Sequence, residues 1–376
     1  MKIGIISPEY PPERGGVQTY AAEYVQELAR RGHDITVFTR PGTDGEVQPG
    51  NCRLEPVLRL RRRLDAPLFA SHSMDLWHAL NAAYAWLSLE TKPVFVTVHG
   101  NDFLWPYFPM ARLDLRERWG LPFGSRLDRW IGGWLTKALI NRSLPRATHI
   151  FANSRYTEQR LCDENPACRG KTSAAMVGVS EEYFALARPP RRPGPMRLVT
   201  VCRLAERHKN VDLVLRALAQ LQGEHSFHYT VIGDGYLRSE YERLAADFRL
   251  GSRVTFTGFL DKQKLREHLL DSDLFILPTS ATPLAYEGFG IVYLEANACG
   301  CPVLAARIGG AVEAVEENVN GMLIDTVTAE TIAAAVTRFL AGAIRFDSAA
   351  CVNFARRFSW ARVADHCVAH YESSLG

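Results

Sequence analysis

No run of about 18 uninterrupted apolar residues occurs in the chain, which leaves it without a segment of the kind that spans a bilayer as a helix. The apolar stretch Lys2–Ser7 meets Pro8, Glu9, Pro11, Pro12 and Glu13 too early for a secretory signal, and this predicts a cytosolic protein. No C-x-x-C pair occurs among Cys52, Cys162, Cys168, Cys202, Cys299, Cys301, Cys351 and Cys367, and no histidines bracket them at zinc-ligand spacing. Reduced, mostly buried thiols are the expectation. Net charge is only +3, too little to argue for a nucleic-acid partner. The first strand runs into Ser7-Pro8-Glu9 instead of Gly-x-Gly-x-x-Gly, and Gly233-Asp234-Gly235 lacks a third glycine. Both features disfavour a dinucleotide-dependent dehydrogenase.

What is present is long enough for two cores. At 376 residues, 47% apolar and 23% charged, the chain reads as two globular domains. Short apolar strands alternate with helices: Lys2–Ser7, Asp34–Thr39, Met74–Leu80, Pro93–Gly100 and His149–Ser154 read as strands. Gly15–Arg31 reads as a helix with Val17, Tyr20, Ala21, Tyr24, Val25 and Leu28 on one face. The run Arg188-Pro-Pro-Arg-Arg-Pro-Gly-Pro195 reads as a linker, and the alternation then restarts. The expected class is α/β, with parallel sheets covered on both faces and ligands at the carboxyl ends of strands. The expected domains are residues 1–188 and 196–358.

Candidate chemistry gathers in the second half. Tyr286-Glu287-Gly288-Phe289-Gly290-Ile291 follows a strand and opens a helix, so its amides and the helix dipole suit an anion. Glu287 and Glu295 lie eight residues apart, roughly 12 Å if helical, which suits hydroxyls at two ends of an extended ligand. Each alone reads equally as a dipole-facing or solvated carboxylate. Arg203 and Lys209 flank the first strand-to-helix loop of this half, and a departing diphosphate needs cations more than a proton donor. A solvated basic loop is the plainer alternative there. Asp271-Ser272-Asp273 ends a helix and is read as capping, so no metal is expected.

These residues carry a resemblance. Glu287-Gly-Phe-Gly…Glu295-Ala, Ala298-Cys-Gly-Cys-Pro-Val-Leu-Ala, Ile308-Gly-Gly, Arg203…Lys209 and Gly233-Asp-Gly235 resemble the signature of glycosyltransferase family 4, retaining enzymes of the GT-B fold. Gly15-Gly16-Val17-Gln18 is similar to that family's Gly-Gly loop, and His99-Gly100 to its strand-end histidine. The resemblance implies two Rossmann-like doubly wound domains facing a central cleft, with a C-terminal helix, residues 359–376, crossing back to the first. It further implies Arg203, Lys209, Glu287 and His99 as catalytic. Gly16, Gly233, Gly258, Phe259, Leu260, Phe289, Gly290, Ile291 and Glu295 would bind the donor. Gly15, Gln18, Asn101 and Asp102 would lie on the acceptor side. Cys202 departs from the glycine usual before the arginine, and Met176-Val177-Gly178 replaces a common Asn-Gly turn.

The activity so implied is retaining, metal-independent hexose transfer from a nucleotide-diphosphate sugar, a UDP-sugar favoured over GDP-mannose, to a saccharide or lipid-linked saccharide. The sugar nucleotide is a co-substrate and no cofactor is expected. A nucleotide-sugar epimerase or hydrolase on the same fold, or a non-catalytic nucleotide-sugar-binding protein, are the alternatives. One further feature concerns location. Arg53, Arg59, Arg61, Arg62 and Arg63 cluster beside leucines. Leu127, Trp130, Ile131, Trp134, Leu135, Ala138 and Leu139 fall at helical spacing behind a Ser125-x-x-Asp128 capping box, and Arg126, Arg129, Lys137 and Arg142 flank them. Phe103, Tyr107, Phe108 and Phe123 add to the aromatic content. An anionic membrane surface on the cytoplasmic side and internal helix packing both fit this pattern.

Overall fold

The computed structural model describes residues 1–13, 15–42, 51–111, 124–185, 188–191 and 193–376, with backbone alone for 124–127. Phe123 lies outside these residues, as do the side chains of Ser125, Arg126 and Leu127. The chain forms two compact units, Met1–Gly178 with Trp360–Gly376, and Val179–Ser359.

The first unit is built on β1 (Lys2–Ile6), β2 (Asp34–Phe38), β3 (Cys52–Glu55), β4 (Leu76–Ala79), β5 (Val94–Val98), β6 (His149–Ala152) and β7 (Thr172–Ala174). Their order is β3-β2-β1-β4-β5-β6-β7, every pairing parallel. β4 and β5 are buried throughout, as strands covered on both faces must be. Order reverses between β1 and β4, which makes their carboxyl ends the place where such a sheet receives a ligand. Helix Gly16–Arg30 buries Tyr20, Ala21, Tyr24, Val25 and Leu28 on the face expected from sequence, while Val17, in its first turn, is only half-buried. Gly32, at φ 81°, stops it.

The last helix, Trp360–Leu375, belongs to this unit and buries Trp360, Val363, Ala364, Cys367 and Tyr371. Tyr371 anchors it: its hydroxyl meets the Tyr24 hydroxyl at 2.6 Å and also His78 Nδ1. His78 Nε2 meets Thr97 Oγ1 at 2.7 Å. A cation cannot be hydrated there, and burial, helped by His99, pushes the His78 pKa down to about 3. Burial lowers His99 and His366 as well, and takes His149 to about 4.

These shifts have one sign. An unfolded histidine takes a proton near pH 6.5, while folded His78 resists until about 3. Its contribution to stability is therefore complete above 6.5 and is lost as pH falls toward the folded value. At pH 5 the loss from His78 alone is about 2 kcal/mol. The thermal midpoint should fall clearly between pH 7.5 and 5; equal midpoints would contradict the neutral His78.

The second unit holds β8 (Met196–Val201), β9 (Phe227–Ile232), β10 (Val254–Gly258), β11 (Leu274–Leu277), β12 (Val303–Ala306) and β13 (Gly321–Ile324). Their order, β10-β9-β8-β11-β12-β13, is again parallel with its reversal beside the first strand. Helix Val211–Leu221 presses Val214, Leu215 and Leu218 into one core with Ile332 and Val336 of helix Ala329–Leu340.

Two local expectations change. The division between units falls at Gly178, and the proline-rich stretch lies on the second unit: Arg188 donates to the Ser272 and Cys299 carbonyls, and Arg191 pairs with Asp273 at 3.1 Å. Asp273, 8% exposed, also accepts from the Arg197 amide at 2.8 Å, which is why these residues are held. Helix Gly124–Ser143 already runs at Gly124, so Ser125 sits inside it and not at its cap. All eight cysteines are free thiols, six of them buried.

Candidate functional site

On the second unit, the loop after β8 carries Arg203 and then a short turn, Arg207–Lys209. Asn210 adopts a left-handed conformation, φ 56°, and its amide donates to the Pro278 carbonyl at 2.6 Å and Ser280 Oγ at 2.7 Å. Ser280 N–H donates to the His208 carbonyl at 2.8 Å. These bonds lash the β8 loop to the end of β11 and bring Lys209 Nζ within 2.7 Å of Glu287 Oε2. Burial works against the Lys209 charge, but the carboxylates of Glu287 and then Glu206 outweigh it and raise the pKa. Lys209 therefore stays cationic through neutral pH. Its contribution is complete below the ordinary lysine value near 10.4 and is lost only as pH rises through the higher folded one.

Arg203 differs. It is half-exposed and paired with Glu206 at 3.0 Å. An exposed pair of this kind is worth about 0–1 kcal/mol, so an incoming diphosphate can take the guanidinium from it. Glu206 also lies 3.8 Å from Lys209. It was not among the residues expected from sequence, although its spacing from Lys209 places it on the same turn.

Glycines shape the other wall. Gly290 has φ 85° and precedes helix Ile291–Ala298; a Cβ there would come within 2.4 Å of the Tyr293 ring. The Gly309-Gly310 pair presses backbone to backbone on the Glu287 loop. A Cβ on Gly310 would stand 2.0 Å from the Gly288 carbonyl, and Gly310 N–H donates to the Glu287 carbonyl at 2.9 Å. Glu287 is thus held by its main chain as well as by Lys209. It lies on the loop just before the helix, as expected from sequence, with Glu295 inside the helix. Phe289 is 1% exposed and its ring packs on Phe358, whereas Ile291 is half-buried at the helix start.

Gly233 and Gly235 have positive φ and abut the Cys202 and Leu204 carbonyls, and Gly233 N–H donates to the Gly258 carbonyl at 2.9 Å. Gly258 ends β10 and Phe259 and Leu260 follow it, with Phe259 51% exposed. The structure therefore brings Arg203, Lys209, Glu287, Gly233, Gly258, Gly290 and Phe259 to the carboxyl edge of one sheet. Glu295, 7% exposed, is farther along the helix and hydrogen-bonds Tyr183, a partner that no sequence signal marked.

The first unit presents its own carboxyl edge. Gly15 (φ 156°) and Gly16 open the helix after β1, and Gln18 is buried against Gly15. His99 follows β5; its Nε2 is buried with no partner, and burial holds its pKa below the usual value despite Asp102, so the ring is neutral at pH 7. Tyr20 meets the His99 ring edge-on at 4.8 Å. Asn153, absent from the sequence expectations, donates to the His99 carbonyl at 3.3 Å and keeps an unpartnered buried oxygen. Asn101 lies in the same loop, its carbonyl accepting from Leu104 and Trp105.

Asp102, expected on the acceptor side, is turned into the protein. It is 2% exposed, and its two oxygens accept from the His99 and Ala82 amides, both at 2.9 Å. It staples the loops after β4 and β5 and so positions His99. Asp102→Ala should reduce turnover by positioning alone, with the pH profile displaced; unchanged turnover would show that the staple is dispensable.

Two parallel, doubly wound sheets, each with its loops gathered at the switch point, and a Lys–Glu pair on a glycine-built loop define a glycosyltransferase scaffold. The chain belongs to glycosyltransferase family 4: the family model described as Glycosyltransferase Family 4 matches residues 14–182, and that described as Glycosyl transferases group 1 matches residues 186–357. It is an enzyme of that class. It is 30% identical, over 90% of this chain and 88% of the relative, to a GDP-mannose-dependent alpha-(1-6)-phosphatidylinositol monomannoside mannosyltransferase of Mycolicibacterium smegmatis. Among solved structures it is similar to a sucrose-phosphate synthase from Thermosynechococcus elongatus, with TM-score 0.77, 20% identity and coverage of 99% of this chain and 98% of that one. It is also similar to Anabaena HepE in complex with UDP-glucose, with TM-score 0.72, 19% identity and coverage of 99% and 100%. At those identities the structures speak for the fold.

Proposed function

We propose that the enzyme transfers a hexose from a nucleotide-diphosphate sugar, with retention of anomeric configuration and without a metal ion, to a lipid-linked saccharide acceptor. The observation that carries this is Lys209 Nζ, buried and 2.7 Å from Glu287 Oε2, beside the displaceable Arg203 at the switch point of the second sheet. Lys209 and Arg203 supply the positive charge that a departing diphosphate requires. Glu287, steadied by Lys209, accepts hydroxyl hydrogen bonds from the donor sugar. The amides at Phe289 and Gly290 cradle its phosphate side, Glu295 takes the ribose hydroxyls, and exposed Phe259 stacks on the base.

Retention follows from a front-face route. The acceptor hydroxyl bonds to the anomeric carbon on the face from which the diphosphate leaves, and a phosphate oxygen takes the hydroxyl proton. On the first unit, neutral His99 and its Asp102-stapled loop orient the acceptor. For the donor, the mycobacterial relative's name favours GDP-mannose over the UDP-sugar preferred on sequence grounds. The same name includes phosphatidylinositol, which supports a lipid-linked acceptor.

A thermal-shift panel of GDP- and UDP-sugars tests the donor, because a ligand bound only by the native state raises its midpoint. GDP-mannose should give the largest rise; a rise with UDP-sugars alone would overturn the base assignment. Activity should survive EDTA, and rescue by manganese after loss would overturn the metal-free route.

A further inference from the structure

We propose that the outward face of helix Gly124–Ser143, with the basic pocket at its carboxyl end, docks the enzyme on an anionic phospholipid surface. The inference deepens the lipid-linked-acceptor reading, but it is measured without donor or turnover, so either can fail alone.

The helix is packed inside out. Its buried residues include Gly132, Gly133, Thr136 and Ser143, while Trp130 is 60% exposed, Trp134 57% and Leu135 43%. Trp130 and Trp134 meet edge-on at 6.3 Å, and Trp105 adds a third ring to Trp134 at 6.2 Å. The helix cannot roll to hide them. A Cβ on Gly132 would lie 2.8 Å from the Ala111 carbonyl, and one on Gly133 would lie 2.8 Å from the Trp105 ring, so the glycine face is seated against its own unit. Lys137 Nζ, donating to the Phe103 carbonyl at 2.7 Å, fixes the same rotation.

Charge selects the occupant. At the carboxyl end of this helix a pocket of about 630 Å³ is lined by Lys92, Arg142 and Arg146 with Thr91 and Glu90. Glu90 is engaged by Arg62 at 3.0 Å. Among the described residues the three cations lining the pocket have no carboxylate partner. Arg142 is exposed eight residues beyond Trp134, roughly 12 Å along the helix. Tryptophans flanked by uncompensated cations match the headgroup layer, where indole lies between apolar and wet zones and phosphates meet the cations. The arginine cluster singled out in the sequence contributes less, because Arg53 pairs with Glu55 at 2.7 Å and Arg62 with Glu90.

The test is sedimentation of the full chain, without donor, with vesicles of phosphatidylcholine alone or with phosphatidylglycerol added. Binding should require the anionic lipid. Each basic residue at such a surface is worth about fivefold, so R142Q/R146Q should bind roughly 25-fold more weakly. W130S/W134S, checked for fold by circular dichroism, should lose both binding and the quenching of tryptophan fluorescence by brominated lipid. Equal recovery with both vesicle types, no recovery with either, or wild-type binding by R142Q/R146Q would overturn the proposal.

Discussion

Lys209→Ala should lower turnover by about two to three powers of ten while the protein remains folded, because one preorganised donor to developing charge is typically worth that much. The magnitude rests on placement. The Lys209 side chain is only 14% exposed, and Asn210 and Ser280 fix the turn that carries it. Arg203→Ala should cost less than Lys209→Ala, because an exposed guanidinium paired with Glu206 is less preorganised. Lys209→Arg is not a conservative rescue: a planar guanidinium fork does not reproduce the single point-charge contact, 2.7 Å long, that Lys209 makes to Glu287. Steady-state kinetics with purified variants decide the matter. Near-wild-type turnover in Lys209→Ala would remove the cation from the mechanism.

Glu287→Ala should abolish measurable transfer and also weaken the fold by about 1–3 kcal/mol, since it leaves a largely buried ammonium with only the longer contact to Glu206. The two effects separate. Glu287→Gln keeps an acceptor oxygen for Lys209 and should restore most of the stability without restoring rate. The double variant Lys209→Ala with Glu287→Ala should be more stable than Glu287→Ala alone, because no unpaired charge remains. Chemical denaturation checks both. Additive losses in the double variant would mean that the pair does not couple.

Much of the fold was legible, and the physical reason is periodicity. Buried parallel strands such as Leu274–Leu277 and Val303–Ala306 are continuous apolar runs, and helix Val211–Leu221 shows its apolar face outright. β3 and β7 escaped because they are short edge strands of half-buried polar residues, Cys-Arg-Leu-Glu and Thr-Ser-Ala, held by ladder bonds and not by pattern. Helices Ala329–Leu340 and Ser348–Ala355 lie beyond the glycine-and-charge motifs that mark the site. The signal was there, however: Thr328 forms a capping box with Thr331.

The site was legible in its glycines and charges and illegible in its partners. Glu287, Lys209 and Arg203 stand out by spacing, but nothing in the sequence announces that Glu206 holds Arg203, that Tyr183 bonds Glu295, or that Asn153 lies under His99. Those contacts join residues 54 to more than 100 positions apart, except for Glu206, and only folding brings them together. Asp102 illustrates the converse. The resemblance placed it on the acceptor side, and no sequence signal showed that its carboxylate accepts from two backbone amides.

The central claim is transfer with retention from a nucleotide-diphosphate sugar, and the product's anomeric proton tests it most directly. The enzyme is incubated with GDP-mannose, EDTA and vesicles containing a phosphatidylinositol-linked saccharide, and the glycolipid is analysed by NMR. The account predicts GDP release matched by a new mannoside with the donor's α configuration. A β-linked product, or GDP released with free mannose and no glycolipid, would contradict it.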